Sequence, residues 1–250
     1  GAPGTASRRG PAAEGGAVPS GSGIRENAER VRERIERAAA RRGRRAGEVR
    51  LVAVTKTVPV ERILEAYEAG LAVFGENYVQ EAEPKIRALP AAEWHLVGAL
   101  QRNKARRAVE LFSWIQTVDS ERLLAEVGRR AAAAGKTVPV LLEVNLAGEA
   151  GKAGVPPERL RDLAEAAART GGIRLRGLMT VPPWSEDPER SRPWFARLRE
   201  LLDLLPRDPS GEAMELSMGM SNDFEVAVEE GATMVRVGTA LFGARPGRVR

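Results

Sequence analysis

Eight short apolar runs, each set off from the next by a helix-like stretch, constrain this 250-residue chain more than any other feature. The runs are 51–55 "LVAVT", 72–75 "AVFG", 94–97 "WHLV", 114–118 "WIQTV", 138–145 "VPVLLEVN", 173–180 "IRLRGLMT", 214–218 "MELSM" and 233–237 "TMVRV". Helical patterns fill the gaps near 60–69, 78–88, 102–111, 120–134, 157–169, 188–205 and 222–230. Gly70, Gly135, Gly171 and Gly231 fall where helix C-caps belong. Strand–helix alternation predicts a parallel sheet, because parallel neighbours need a crossover between them. Eight such units in about 195 residues fit a (β/α)8 TIM barrel. A doubly wound open sheet is the alternative. It lacks a G-x-G-x-x-G after the first strand, the main signature of a dinucleotide fold.

An extra N-terminal helix precedes the barrel. Over 24–43, Ile24, Ala28, Val31, Ile35 and Ala38 form one apolar stripe. Residues 1–23 are rich in Gly, Ala, Pro and Ser and read as a disordered tail. Residues 24–244 read as one domain, and 245–250 as a basic C-terminal tail.

Charge distribution limits the partners. The first 50 residues carry 12 Arg against 6 Asp/Glu, whereas residues 51–244 carry 24 Lys/Arg against 28 Asp/Glu. The basicity lies in the ends and the body is mildly acidic. Aromatic residues make up only 4% of the chain, which leaves little for base stacking. Nucleic-acid binding as a main function is not expected. No apolar run approaches the roughly 18 residues of a membrane span, and no secretory signal is visible, so no membrane role is expected. The chain has no cysteine. Disulfides and thiolate chemistry are excluded, which fits a cytoplasmic protein.

In a barrel, chemistry gathers at the C-terminal strand ends. Only five of the 39 basic residues are lysine, and one of them, Lys56, ends the first apolar run. A buried lysine there points to amine chemistry that a guanidinium cannot perform. Asn77 follows strand two, Met179 and Thr180 end strand six, and Ser217 and Ser221 follow strand seven. Arg236, Gly238 and Thr239 end strand eight. The loops after strands seven and eight are the usual phosphate site of such a barrel. Alone, Ser221 reads as an N-cap and Gly238 as a turn. Together on adjacent strands, "SMGMS" and "GTA" favour a phosphate.

Period-two alternation places Val52, Val54 and Lys56 on one face, and Met234, Arg236 and Gly238 on one face. If both faces point inward, Lys56 and Arg236 enter the barrel mouth on strands that become neighbours at closure. Arg236 would then meet an anionic or acceptor ligand, or pair with Glu143 or Glu215. A phosphate cup, a lysine and an inward arginine are the parts needed to hold pyridoxal phosphate: an amine for its aldehyde and a donor for its ring nitrogen.

The chain resembles the pyridoxal phosphate homeostasis proteins, which share the barrel of the alanine racemase N-terminal domain. The matching stretches are "LVAVTK", "FGENYVQEAEPK", "WHLVGALQRNK", "VNLAGEAGKAG", "GLMTVPP" and "LSMGMSNDFEVAVEEGATMVRVGTALFG". Gly151 and Ala153 stand where serine is common in the family. The resemblance implies a Schiff base on Lys56, and phosphate binding by Ser217, Ser221, Gly238 and Thr239. It also implies Arg236 at the pyridine nitrogen and Asn77 near the ring, and Met179 is placed in the same pocket. It implies a monomer or weak dimer that acts in vitamin B6 homeostasis without a fast reaction of its own. Apoenzymes that use the cofactor are the expected recipients.

The alternative is an amino-acid racemase. Racemases of this fold take a second acid/base, a tyrosine, from an additional domain, and none is expected after strand eight here. Of the two tyrosines, Tyr67 falls in the helix after strand one and is read first as a packing residue, while Tyr78 follows Asn77 at the strand-two mouth, with a place in the pocket as its lesser reading. The single histidine, His95, lies at the start of strand three and is read as structural. With no cysteine and one histidine, a Cys/His metal site is excluded.

Overall fold

Each apolar run is a strand, and the strands close on themselves. A computed structural model describes residues 23–206, 208 and 210–244. The tails expected at 1–23 and 245–250 lie outside the described residues, apart from Gly23. The strands are β1 (Arg50–Val54), β2 (Val73–Glu76), β3 (Glu93–Leu96), β4 (Trp114–Val118), β5 (Val138–Glu143), β6 (Ile173–Met179), β7 (Glu215–Ser217) and β8 (Met234–Val237). All neighbours are parallel, and the order 1 to 8 ends with β8 paired to β1. This is the (β/α)8 barrel, and the open-sheet alternative falls.

The crossovers are α2 (Val60–Glu68), α3 (Val79–Ala88), α4 (Ala105–Leu111), α5 (Glu121–Ala133), α6 (Leu160–Arg169), α7 (Arg192–Leu201) and α8 (Phe224–Glu229). Several are shorter than their sequence pattern because the first or last turn is 3-10, as at Arg102–Lys104, Pro157–Arg159 and Leu202–Leu204. Each buries one stripe on the barrel. Leu123, Leu124, Val127 and Ala131 do so on α5, and Ile63 and Ala66 on α2.

The additional helix α1 (Ile24–Ala40) packs beside the last crossover helix. It buries the expected stripe against α8 and a short α9 (Thr239–Phe242). Asn27 donates to the Leu241 carbonyl at 2.8 Å in this contact. The α1 helix therefore braces the segment that follows β8.

Inside the barrel, Val52, Leu141, Met179 and Met234 form a small apolar layer separate from the helix–strand core. This layer is the floor on which the mouth is built.

Candidate functional site

The first polar groups above that floor come from β1 and β8. Val52 pairs with Arg236 in register, so the residues that follow on both strands rise to the mouth side by side. A cavity of about 360 Å³ opens there, lined among others by Lys56, Asn77, Ser221, Arg236, Gly238 and Thr239. Six of the eight residues expected in the site thus share one cavity.

Met179 and Ser217 do not line it. Met179 pairs with Ser217, and Ser217 with Met234. Both therefore lie in the apolar layer beneath the mouth and are fully buried. The Ser217 hydroxyl accepts from Arg236 Nη1 at 2.7 Å and donates to Gln116 Oε1 at 2.6 Å. Its partners are protein groups, so it supports Arg236 instead of facing the cavity.

Lys56 also differs from its sequence reading. It sits two residues beyond β1 and is half-buried, not buried. The backbone turns at Thr55–Val58, closed by the Val58 amide on the Thr55 carbonyl at 2.9 Å. Thr57, the third residue of this turn, has φ +64°. A β-branched residue in the left-handed region is strained, and such outliers persist only when their surroundings hold them.

What holds the turn is a buried charge cluster. Lys85 Nζ donates to the Thr55 carbonyl at 2.7 Å, to Glu76 Oε1 at 2.7 Å and to Glu81 Oε1 at 2.8 Å. The same Glu81 oxygen accepts from the Thr57 amide, and the Thr55 hydroxyl donates to Glu76. Burial pushes the Glu76 carboxyl above its usual value. At Glu81, burial acts upward too, but hydrogen bonds from Lys85 and the Thr57 amide outweigh it and hold the carboxyl below its usual value. Both sides of the turn that presents Lys56 are therefore anchored.

The opposite wall comes from the segments after β7 and β8. The Arg236 amide donates to the Gly219 carbonyl at 2.9 Å, tying the two together. Gly219 has φ +92°, and a Cβ there would lie 2.5 Å from the Ala227 Cβ, so only glycine fits. Helix α8 begins at Phe224, later than expected, and Asp223 Oδ1 takes the Met220 amide at 2.7 Å. Ser221 is therefore not that helix's N-cap. Its Oγ accepts instead from the amides of Gly238 and Ala240, at 3.2 and 3.3 Å. An oxygen at the cavity edge already collects the amides that open α9.

Arg236 is buried, with Nη2 on the Thr180 carbonyl at 2.8 Å. Burial pulls its guanidinium down to about 10, against the opposing pull of Glu143 and Asp223. The alternative that Arg236 pairs with Glu143 or Glu215 is not realised as a direct ion pair among the described residues. Glu143, at the end of β5, is buried with Oε2 lacking a hydrogen-bond partner. Burial raises it to about 7, and the charge of Arg236 only partly opposes this.

Asn77 reaches the cavity from the end of β2. It is set there by a close backbone approach: a Cβ on Gly98 would lie 2.3 Å from the Asn77 carbonyl oxygen. Neither tyrosine lines the cavity. Tyr67 is on α2, and Tyr78 is an exposed residue before α3. Trp184, not singled out in the sequence, lines the rim and is 65% exposed. No helix among the described residues is long and apolar enough to cross a membrane, and none of their acidic or histidine clusters could hold a metal.

The chain matches the alanine racemase N-terminal domain family over residues 24–246. It is 46% identical over 222 residues to the pyridoxal phosphate homeostasis protein of Aquifex aeolicus, covering 88% of this chain and 97% of that protein. It is 42% identical over 228 residues to the protein of the same description from Vibrio cholerae, covering 89% and 96%. Among solved structures it is similar to PipY of Synechococcus elongatus with PLP bound, at 39% identity and TM-score 0.77, covering 88% of this chain and all of that one.

Proposed function

This chain belongs to the pyridoxal phosphate homeostasis protein family, and we propose from that premise that it binds pyridoxal 5′-phosphate (PLP) at the barrel mouth. One observation carries the reading: Lys56, Arg236 and the Ser221–Gly238–Thr239 cup line a single cavity. When bound, the cofactor supplies an aldehyde that condenses with an amine and a ring that withdraws electrons. Lys56, which lines the cavity, would supply the amine for that aldehyde. The amides of Gly238 and Ala240, now on Ser221 Oγ, would hold the phosphate together with the Ser221 and Thr239 hydroxyls. Arg236 would donate to the ring nitrogen and, being cationic, would keep that nitrogen unprotonated. Asn77 flanks the ring from β2.

The protein acts in intracellular vitamin B6 homeostasis, in the cytoplasm, as a monomer or weak dimer that passes PLP to apoenzymes. Titration of the purified protein with PLP tests the site. A visible absorbance band should develop in wild type, and borohydride reduction should bleach it while fixing the cofactor covalently to the chain; both signals should be lost in Lys56→Ala. Retention of the band in that variant refutes the assignment of Lys56.

A further inference from the structure

We infer that Gln116 and His95 are positioning residues for Arg236, acting through a hydrogen-bond chain that crosses the barrel interior from mouth to base. The inference rests on the mouth being the cofactor site. The links are explicit. Arg236 Nη1 donates to Ser217 Oγ at 2.7 Å, and Ser217 Oγ to Gln116 Oε1 at 2.6 Å. Gln116 Nε2 lies 2.7 Å from His95 Nδ1, and His95 Nε2 lies 2.8 Å from Glu93 Oε1. Glu93 Oε1 also accepts from Arg50 Nη1 at 3.0 Å, near the N-terminal ends of β1 and β3. The chain thus passes from β8 and β7 across to β4 and β3.

Every proton in it has one allowed place. A guanidinium can only donate, so Ser217 must accept from Arg236 and pass its own hydrogen to Gln116 Oε1. With its oxygen so committed, Gln116 presents its NH2 to His95. One hydrogen goes to Nδ1, and the other faces Met234 Sδ at 3.6 Å. His95 Nδ1 must then be unprotonated and its proton must sit on Nε2, facing Glu93. Burial, which depresses the His95 pKa below its usual value, agrees with a neutral ring. The ring also stacks on Trp114, centroids 5.4 Å apart, so it has little freedom to flip.

Buried polar chains of this kind are either fully satisfied or costly, and a satisfied one specifies a single arrangement. Here the arrangement specified is the Arg236 fork. Nη1 is held from below by the chain and Nη2 from the side by the Thr180 carbonyl. A ligand that draws on Arg236 therefore perturbs a histidine at the other end of the barrel interior.

His95 is the only histidine in the sequence, so a histidine-labelled full-length chain gives one imidazole in a nitrogen-15 NMR spectrum. The expected wild-type spectrum is the Nε2–H tautomer near neutral pH, with ring resonances that shift when PLP is added. Ser217→Ala, a small change, shifts the same resonances without any cofactor. Gln116→Leu abolishes the response to PLP and weakens its binding roughly fivefold, the worth of one neutral hydrogen bond, since Gln116 bonds to Ser217 and not to the guanidinium itself. Gln116→Glu keeps the acceptor for Ser217 and so restores affinity towards wild type, but forces a proton onto Nδ1. Thermal melting of each variant separates loss of fold from loss of position, and Ser217→Ala carries the test if Gln116→Leu does not fold. A His95 signal unmoved by Ser217→Ala overturns the chain. So does a Gln116→Leu variant that binds PLP as wild type does. Absence of any PLP-dependent absorbance in wild type instead refutes the cofactor reading, and leaves the Ser217→Ala arm to decide the chain by itself.

Discussion

Replacing Glu143 with glutamine should make the protein more stable at alkaline pH while changing little in acid. Burial holds the Glu143 proton on, raising its carboxyl from an ordinary 4.5 to about 7. A raised folded-state value means that stability is fully present below pH 4.5 and is lost as pH rises through about 7. Above both values the loss approaches about 3 kcal/mol. At pH 5 the wild type has given up under about 1 kcal/mol, so most of the difference develops between pH 5 and 8. Arg236 is the strongest opposing charge, and Asp119 and Lys152 also act on the group; their influence is already within the raised value. Glutamine keeps the shape and never ionises. The variant should therefore gain about 2–3 kcal/mol on wild type between pH 5 and 8, or about 5–10 °C in melting temperature for a chain of this size. Paired melts of the two proteins in the same buffers read this directly, because groups away from Glu143, such as His95 and Glu76, titrate alike in both and cancel in the difference. A stability difference that stays flat from pH 5 to 8 would refute the protonated, buried Glu143.

Two further predictions concern the turn that presents Lys56. Lys85→Met leaves the Glu76 carboxyl buried with only the Thr55 hydroxyl as partner, and should cost about 3–5 kcal/mol in denaturant unfolding; a cost below about 1 kcal/mol would mean that the cluster behaves as a surface pair. Thr57→Gly should relieve about 1–2 kcal/mol of left-handed strain while adding somewhat less than 1 kcal/mol of unfolded-state freedom. Stability should hold or rise slightly while PLP affinity falls, and a marked loss of stability would show that the turn was not strained.

The sequence exposed the barrel because its signals were local and repeated. Strand runs and helical stripes recur along the chain, and Gly70, Gly135 and Gly231 take the positive φ expected of C-caps, whereas at Gly171 it falls one residue later, on Gly172. Lys56 and Arg236 were legible through period-two alternation on β1 and β8. Ser217 and Met179 were expected at the mouth because they end their strands in the sequence, which does not give their height in the barrel. Height follows from the stagger between neighbours, and the pairing of Met179, Ser217 and Met234 sets all three one layer down. Gln116 left a faint signal, an amide in the middle of the apolar run "WIQTV". Lys85 left another, a lysine in an arginine-rich chain. Their partners lie 21 or more residues away in one case and across a turn in the other, and only the fold joins them.

The mouth offers one amine for proton transfer, and the placement of the remaining titratable groups bears on whether the protein turns amino acids over. Racemisation needs a proton removed from one face of the substrate carbon and returned to the other. His95 lies beneath the apolar floor and is committed to Gln116 and Glu93. Tyr78 is 63% exposed and outside the cavity. Glu143 is near the mouth, but with its carboxyl raised to about 7 it is only partly ionised at neutral pH, and it does not line the cavity. Lys56 would have to serve both faces, which a side chain committed to one wall does poorly. Incubation of PLP-loaded protein with L-alanine, followed by chiral separation, should therefore give turnover far below the ordinary enzymatic range of about 1 per second and above. If turnover reaches that range and is abolished in Glu143→Gln, the carrier reading is wrong and Glu143 is the second proton-transfer group of a racemase.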